Sequence, residues 1–306
     1  MGFSERVRDM QKGLRIKNKS PIYLWLAIPV LFYVIFLVTP IILSIFYSFF
    51  KWNGGKKMTF IGFDNYARLM RDEDFWHSAW NNIWLMLLSL VFNTGLAFFL
   101  ALAVSSKLVR FRRFYRFTIF LPVILSGIVV GYLWKMIYNE VPGLLNTLLN
   151  LLGLSHWRQL WLGDSDIAMT SISFIRIWKV MGMHLVVYLA SLQNIPSDVL
   201  DAAEVDGATG FKRIRYIIAP MMMGTIRVSM LLSIADSLKI FDIIYSTSKG
   251  GPGNASSVMS FLTYRTGFEF FNLGYSNAMA IASVIIGGII VGVVNYFAHK
   301  GENRFD

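Results

Sequence analysis

Six apolar stretches of about twenty residues or more, at 22–50, 82–104, 115–138, 169–193, 218–245 and 275–298, divide the chain into long greasy runs joined by polar connections. Within each run the apolar residues are continuous rather than alternating, so each predicts a helix and not the every-other-residue strand of a barrel. A helix rises about 1.5 Å per residue and a bilayer core is about 30 Å thick, so each run is long enough to cross. In lipid the backbone must satisfy its own polar groups, which helices do internally. The expected fold class is therefore all-α: a polytopic membrane protein with six transmembrane helices spanning 22–298, a basic segment at 1–21 and a short tail at 299–306. Pro29 and Pro40 lie inside the first run and predict a tilt or kink there. The spacings Gly127–Gly131 and Gly288–Gly292 fit close helix packing.

Composition agrees with the pattern. The chain has 306 residues, 55% of them hydrophobic and 15% charged, against about 25% charged in an ordinary soluble domain. The formal charge of +11 is read as basic residues crowding cytoplasmic loops, not as a nucleic-acid footprint. With the N-terminus inside, the internal segments 1–19, 105–117, 194–217 and 299–306 hold six, five, three and two Lys or Arg; the external segments 51–81, 135–168 and 246–274 hold five, two and two. Both termini are thus expected in the cytoplasm. No A-x-A-like site follows the first apolar run, which reads as an uncleaved span. Tyr23, Trp25, Trp52, Trp80 and Trp84 fall near predicted interfaces, where aromatic belts occur.

Catalytic chemistry is missing from the motifs. Without cysteine there is no disulfide, thiolate nucleophile or Cys-based metal site. "GLRIKNKS" (13–20) is the nearest approach to a phosphate-binding loop, and it has Asn18 where the second glycine belongs. The four histidines lack paired metal-ligand spacing, and no serine lies in G-x-S-x-G. No metal site and no bound cofactor are expected in this chain.

One polar connection has a pattern of its own. In "DAAEVDGATGFKRIRYIIAP" (201–220) and the residues before it, Asp198, Asp201, Glu204 and Asp206 lie within nine residues. Four acids in hydrocarbon would cost on the order of 10 kcal/mol, so this segment lies outside the lipid. Pro196 ends the fourth run and Ser197 is placed to cap a new helix. On that helix Val199, Leu200, Ala202 and Ala203 share one face and Asp198, Asp201 and Glu204 the other; Gly207 suits the left-handed residue that closes a helix. A second helix begins after Gly210, with Phe211, Ile214 and Ile218 in register and Pro220 beyond. The segment 196–217 therefore predicts a helix–turn–helix on the cytoplasmic face. A helix lying in the headgroups would show bulky apolar and basic residues; alanines and acids fit a protein groove better.

This hairpin resembles the EAA loop of permease subunits of bacterial binding-protein-dependent ABC importers, with Asp201 where Glu is usual and Ala219 where Leu is usual. "FIGFDNYARLM" (60–70), "FLPVILSGIVVGYLWKMIYN" (120–139), "GLLNTLLNLLG" (143–153), "FDIIYSTSKGGPGNAS" (241–256) and "NLGYSNAMAIAS" (272–283) resemble the sugar-importing branch. The resemblance implies a type I importer permease in a bacterial inner membrane, forming half of a pathway for a sugar or oligosaccharide. It implies coupling residues at Asp201, Ala202, Ala203, Glu204, Asp206, Gly207 and Ala208. Its implied partners are a second permease (in this branch usually a different chain), two ATPase subunits that bind ATP and Mg, and an extracytoplasmic solute-binding protein. By resemblance Gly250, Gly251 and Pro252 face that binding protein; on physical grounds alone "SKGGPGN" is a flexible turn.

Ionisable residues inside spans mark candidate pathways. Asp236, Lys239 and Asp242 follow one another at i, i+3 on the fifth run, either as a polar patch on the path with Tyr245 or as an ion pair within one helix. Arg176 and Lys179 pose the same choice against snorkelling, Asn93 is a pore residue or an interhelical hydrogen bond, and His184 reads as a helix–helix contact. The competing readings are an ion-coupled secondary transporter, which would show inverted repeats that this chain lacks, a membrane enzyme, and an importer for another solute such as glycerol phosphate.

Overall fold

The structure is a computed structural model that describes residues 20–106, 109–141 and 143–302. The basic segment at 1–19, Lys107 in the basic loop and the last four residues of the tail lie outside the described residues. Among the described residues four helices are long and apolar enough to cross a membrane, or six if two sharply bent pairs each count as one span. The first, α1 (Trp25–Tyr47), carries a π turn at Val34–Val38 ahead of Pro40. There the Thr39 N–H and hydroxyl both donate to the Val34 carbonyl, just before Pro40, which has no N–H to give. The most apolar part of α1 has no residue buried within the chain.

Among the described residues the regular structure is helical apart from one antiparallel ribbon, β1 (Phe50–Trp52) on β2 (Met58–Phe60), pairing Phe50 with Phe60 and Trp52 with Met58. Asn65, on α2 (Asp64–Leu69), holds the ribbon to the end of α1 by donating to the Ser48 and Phe50 carbonyls at 2.8 and 3.0 Å. The next helix, α3 (Glu73–Ser105), starts nine residues before the apolar run at 82. Asp72 caps it by accepting from the Phe75 N–H at 3.1 Å, and one side of its lead-in, with Phe75, Ser78, Asn81 and Asn82, is buried against protein.

The third apolar run is not one helix. It divides into α4 (Arg112–Ile124) and α5 (Gly127–Ile137), bent by 103°. Leu125 is extended, and the Ser126 hydroxyl caps α5 by accepting from the Val129 N–H at 3.3 Å. After α6 (Leu144–Leu151), α7 (Ala168–Gln193) runs unbroken. A side chain at Gly182 would collide with the α4 backbone at Ile119 and Phe120, so glycine lets the two helices touch.

The charged hairpin follows as α8 (Ser197–Val205) and α9 (Gly210–Met221), with Pro220 inside α9 and not beyond it. A 75° bend at Met222 leads into α10 (Met223–Lys239). The fifth run also stops short of its expected end at 245: Ile240 is extended, and a separate helix, α11 (Asp242–Ser246), begins. Beyond a loop, α12 (Met259–Tyr264) and α13 (Leu273–Glu302) complete the chain. The Gly127–Gly131 face of α5 takes α11, since a methyl group at either glycine would overlap Asp242 or Ser246. Gly288 and Gly292 have nothing within 4 Å. Apolar cores gather around Leu85, Ile172, Ile243 and Phe261, around Leu185, Tyr188 and Met222, and around Phe75, Met259 and Tyr275.

Candidate functional site

The hairpin turn is built by backbone geometry. Gly207 has φ +76°, in the left-handed region, where a side chain is strained. This lets the Ala208 N–H reach back to the Ala203 carbonyl at 2.8 Å and the Gly207 N–H to the Glu204 carbonyl at 3.1 Å. The pair forms a Schellman closure, whose first bond spans five residues. Ser197 is the first residue of α8 and not its cap; its hydroxyl bonds to Asp198 instead. The small apolar face divides as well. Ala203 is only 5% exposed and Leu200 packs on the core around Leu185, while Ala202 points outward. Glu204 faces Arg213 of α9 at 3.7 Å. Asp198, Asp201 and Asp206 are exposed, and so is Val205.

Above the hairpin, α10 carries hydroxyls on one face, at Thr225, Ser229, Ser233 and Ser237. Thr225 pairs with Ser191 at 2.8 Å and Ser229 with His184 at 2.6 Å, both on α7; Ser233 pairs with Thr94 of α3 at 3.3 Å. Further along, Asp236 forms an ion pair with Arg176 across the gap between α10 and α7. Of the two readings of this patch, the ion pair within one helix does not form at Asp236, whose partner is Arg176 on the neighbouring helix. Lys239 ends α10 and is exposed. Asp242 is separated from it by the break, and its carboxylate lies over Gly127 while accepting from its neighbour Ile243 N–H at 2.9 Å. Lys179 stands half-buried close to both carboxylates. Tyr245 stacks on Phe241 with ring centres 5.6 Å apart and meets Tyr264 edge-on. Asn93 is buried in α3, and its side-chain oxygen has no partner among the described residues.

The glycine-rich loop after α11 is not slack. Gly250 is buried, while Gly251 and Pro252 are half-buried. Ser256 donates to the Ser248 hydroxyl at 2.7 Å, and Ser248 accepts from the Gly250 N–H at 3.2 Å. Asn81 donates to the Ala255 and Ser257 carbonyls, both at 2.8 Å. Asn82 donates to the Ser237 carbonyl at 2.7 Å and accepts from the Met259 N–H at 2.9 Å, joining α10 to α12. These two asparagines were missed from sequence. Their signal is adjacent amides in the apolar setting "WNNIW", where a buried amide calls for partners. Beside the loop lies an open cleft of about 860 Å³, lined among others by Glu73, Asp74, His77, Asp164 and Pro252.

Among the described residues no group of three His, Cys, Asp or Glu could hold a metal ion. Residues 93–300 match the family model described as "Binding-protein-dependent transport system inner membrane component". The probable ABC transporter permease protein YurN of Bacillus subtilis is 35% identical over 272 residues, covering 88% of this chain and 93% of that protein. The probable starch degradation products transport system permease protein AmyD of Thermoanaerobacterium thermosulfurigenes is 27% identical, covering 95% of this chain and 98% of that protein. Among solved structures, a chain of a bacterial alginate ABC transporter, in complex with an alginate pentasaccharide-bound periplasmic protein, superposes with a TM-score of 0.81. It is 25% identical and the match covers 94% of this chain and 96% of that one.

Proposed function

The chain belongs to the family of binding-protein-dependent transport system inner membrane components, and from that premise we infer that it is one permease subunit of an ABC importer for a sugar or oligosaccharide. It forms half of the translocation pathway, and a second permease, usually a different chain in this branch, forms the other half. ATP and Mg are bound by two cytoplasmic ATPase subunits, and an extracytoplasmic protein delivers the solute. The saccharide assignment draws on what the relatives carry: starch degradation products in one case and alginate in another.

The observation that carries this reading is the α8–α9 hairpin: it lies inside the family match, is closed by its own backbone bonds, and keeps an acidic face free. We place it, with both termini, on the cytoplasmic side, where Asp201, Ala202, Ala203, Glu204, Asp206, Gly207 and Ala208 serve coupling. Ala203 and Ala208 act by closing the turn, and Glu204 by bracing α9 through Arg213. ATP-driven closure of the ATPases draws the paired hairpins together and tips the bundles outward-open, because the hairpin makes different contacts in the two states. Asn93, Asp236, Lys239, Asp242 and Tyr245 are assigned to the pathway region, and the loop bearing Gly250, Gly251 and Pro252 to the face that meets the binding protein.

The test is purification of the assembled importer with its binding protein, reconstitution in lipid, and assay of ATP hydrolysis with a panel of saccharides and glycerol phosphate. Severalfold stimulation by a saccharide is the expected result. Stimulation by glycerol phosphate alone reassigns the cargo, and uptake driven by an ion gradient without ATP overturns the importer reading.

A further inference from the structure

We propose that Val205, the most exposed apolar side chain of the hairpin, is the anchor of its contact with the ATPase: an apolar knob that enters an apolar hole rimmed by basic side chains on that subunit. The proposal rests on the coupling reading of α8 and deepens it by naming the residue and the chemistry it meets. Val205 is 88% exposed, yet it sits on a hairpin outside the lipid, where every turn of α8 offers an acid. At 100° per residue, Asp198, Asp201, Ala202 and Val205 fall within one sector of the helix, and Leu200 and Ala203 lie opposite. That opposite sector is the one already buried. The outward face is thus two carboxylates, one methyl group and one isopropyl group.

Position and rigidity favour the same side chain. Val205 is the last residue of α8, immediately before the Asp206–Gly207 closure, so the backbone bonds of the turn fix where it points. Glu204, its neighbour, is engaged by Arg213 and lies away from the outward sector. An exposed valine in water gains by burial, and Ala202 one turn below leaves room for a close approach.

The charges select the occupant. An anionic lipid surface is repelled by Asp198, Asp201 and Asp206, and an interfacial helix needs basic flanks that α8 lacks. A second copy of this hairpin would set acid against acid. A basic-rimmed hole on a protein satisfies both the apolar knob and its carboxylates.

Because the chain has no cysteine, Val205→Cys introduces the sole thiol of this subunit, and labelling is read on this subunit's own band. A maleimide reagent is expected to label this variant freely in the permease pair without ATPase subunits and at least about tenfold more slowly in the full complex, as burial at an interface core requires. In parallel, Val205→Asp is expected to weaken ATPase retention about tenfold or more, a change worth 1.4 kcal/mol per decade, at low and high salt alike. Val205→Leu retains it, and Asp201→Asn weakens it only at low salt. Equal labelling in both states, or Val205→Asp retention within about twofold of the parent, overturns the anchor. If Gly207→Pro still uncouples transport in that case, the coupling role of the hairpin stands without the anchor. If neither variant has an effect, the coupling reading falls with it.

Discussion

Two turns in this molecule share a vocabulary of glycines and small polar residues, and they use it in opposite ways. In the loop after α11, Lys249, Gly250, Gly253 and Asn254 all have positive φ, and the turn is fastened from outside by Asn81 and from within by Ser248 and Ser256. A Cβ on Gly250 would meet the Phe261 ring at 3.0 Å. In the hairpin, Gly207 and Gly210 also have positive φ, but the space around each is open, with nothing within 4 Å of an added Cβ. The first turn is a wall of the bundle; the second is a free edge whose closure is made by backbone bonds, with the Glu204–Arg213 pair beside it. Glycine content therefore does not report mobility. What separates the two is whether side chains from other elements reach the turn.

The contrast is broken most severely at Gly207→Pro. Proline fixes φ near −65° and has no N–H, so it opposes the +76° backbone and deletes the bond to the Glu204 carbonyl. Uptake and saccharide-stimulated ATP hydrolysis should fall more than about tenfold, while the protein still inserts and melts in detergent close to the parent. Retained uptake in reconstituted vesicles would remove the hairpin from the coupling path. Next in size is Asn82→Ala, which leaves the Ser237 carbonyl and the Met259 N–H without their partner inside the bundle. A loss of about 2–4 kcal/mol is expected, since each orphaned buried group costs about 1–3 kcal/mol; thermal unfolding in detergent measures it, and an unshifted melt would mean that the amide does not hold α10 to α12. The smallest and most direct comparison is alanine at each turn. Gly207→Ala should cost about 1 kcal/mol for the left-handed backbone alone, and Gly250→Ala about 1–3 kcal/mol more because the ring must yield. Equal losses at the two positions would erase the distinction.

The apolar runs were legible because lipid imposes length and continuity on whatever crosses it. The irregularity ahead of Pro40 was legible as well; the elbow between α4 and α5 and the break after Lys239 were not. Around Ser126 the sequence reads as more of the same apolar run, whereas in the structure Leu125 is extended, Ser126 caps a new helix and Gly127 lies under Asp242. Asp236, Lys239 and Asp242 suggested one helix by spacing, but the helix ends at Lys239 with Ile240 extended, and the partner of Asp236 comes from sixty residues earlier. In the hairpin the left-handed Gly207 was readable as a local conformational requirement. The inward turn of Ala203 was not, since it depends on a closing bond from Ala208 and on packing of the neighbouring Leu200.

The break between α4 and α5 has a consequence for where the oily solvent can lie. The 13 residues of α4 reach about 20 Å and the 11 of α5 about 16 Å, so neither half alone bridges a core of about 30 Å. The elbow leaves peptide groups that acyl chains cannot serve. That flank has to be turned toward subunits or moisture, which leaves α1 and α13, the least buried of the four unbroken candidate spans among the described residues, as the natural coat against the hydrocarbon.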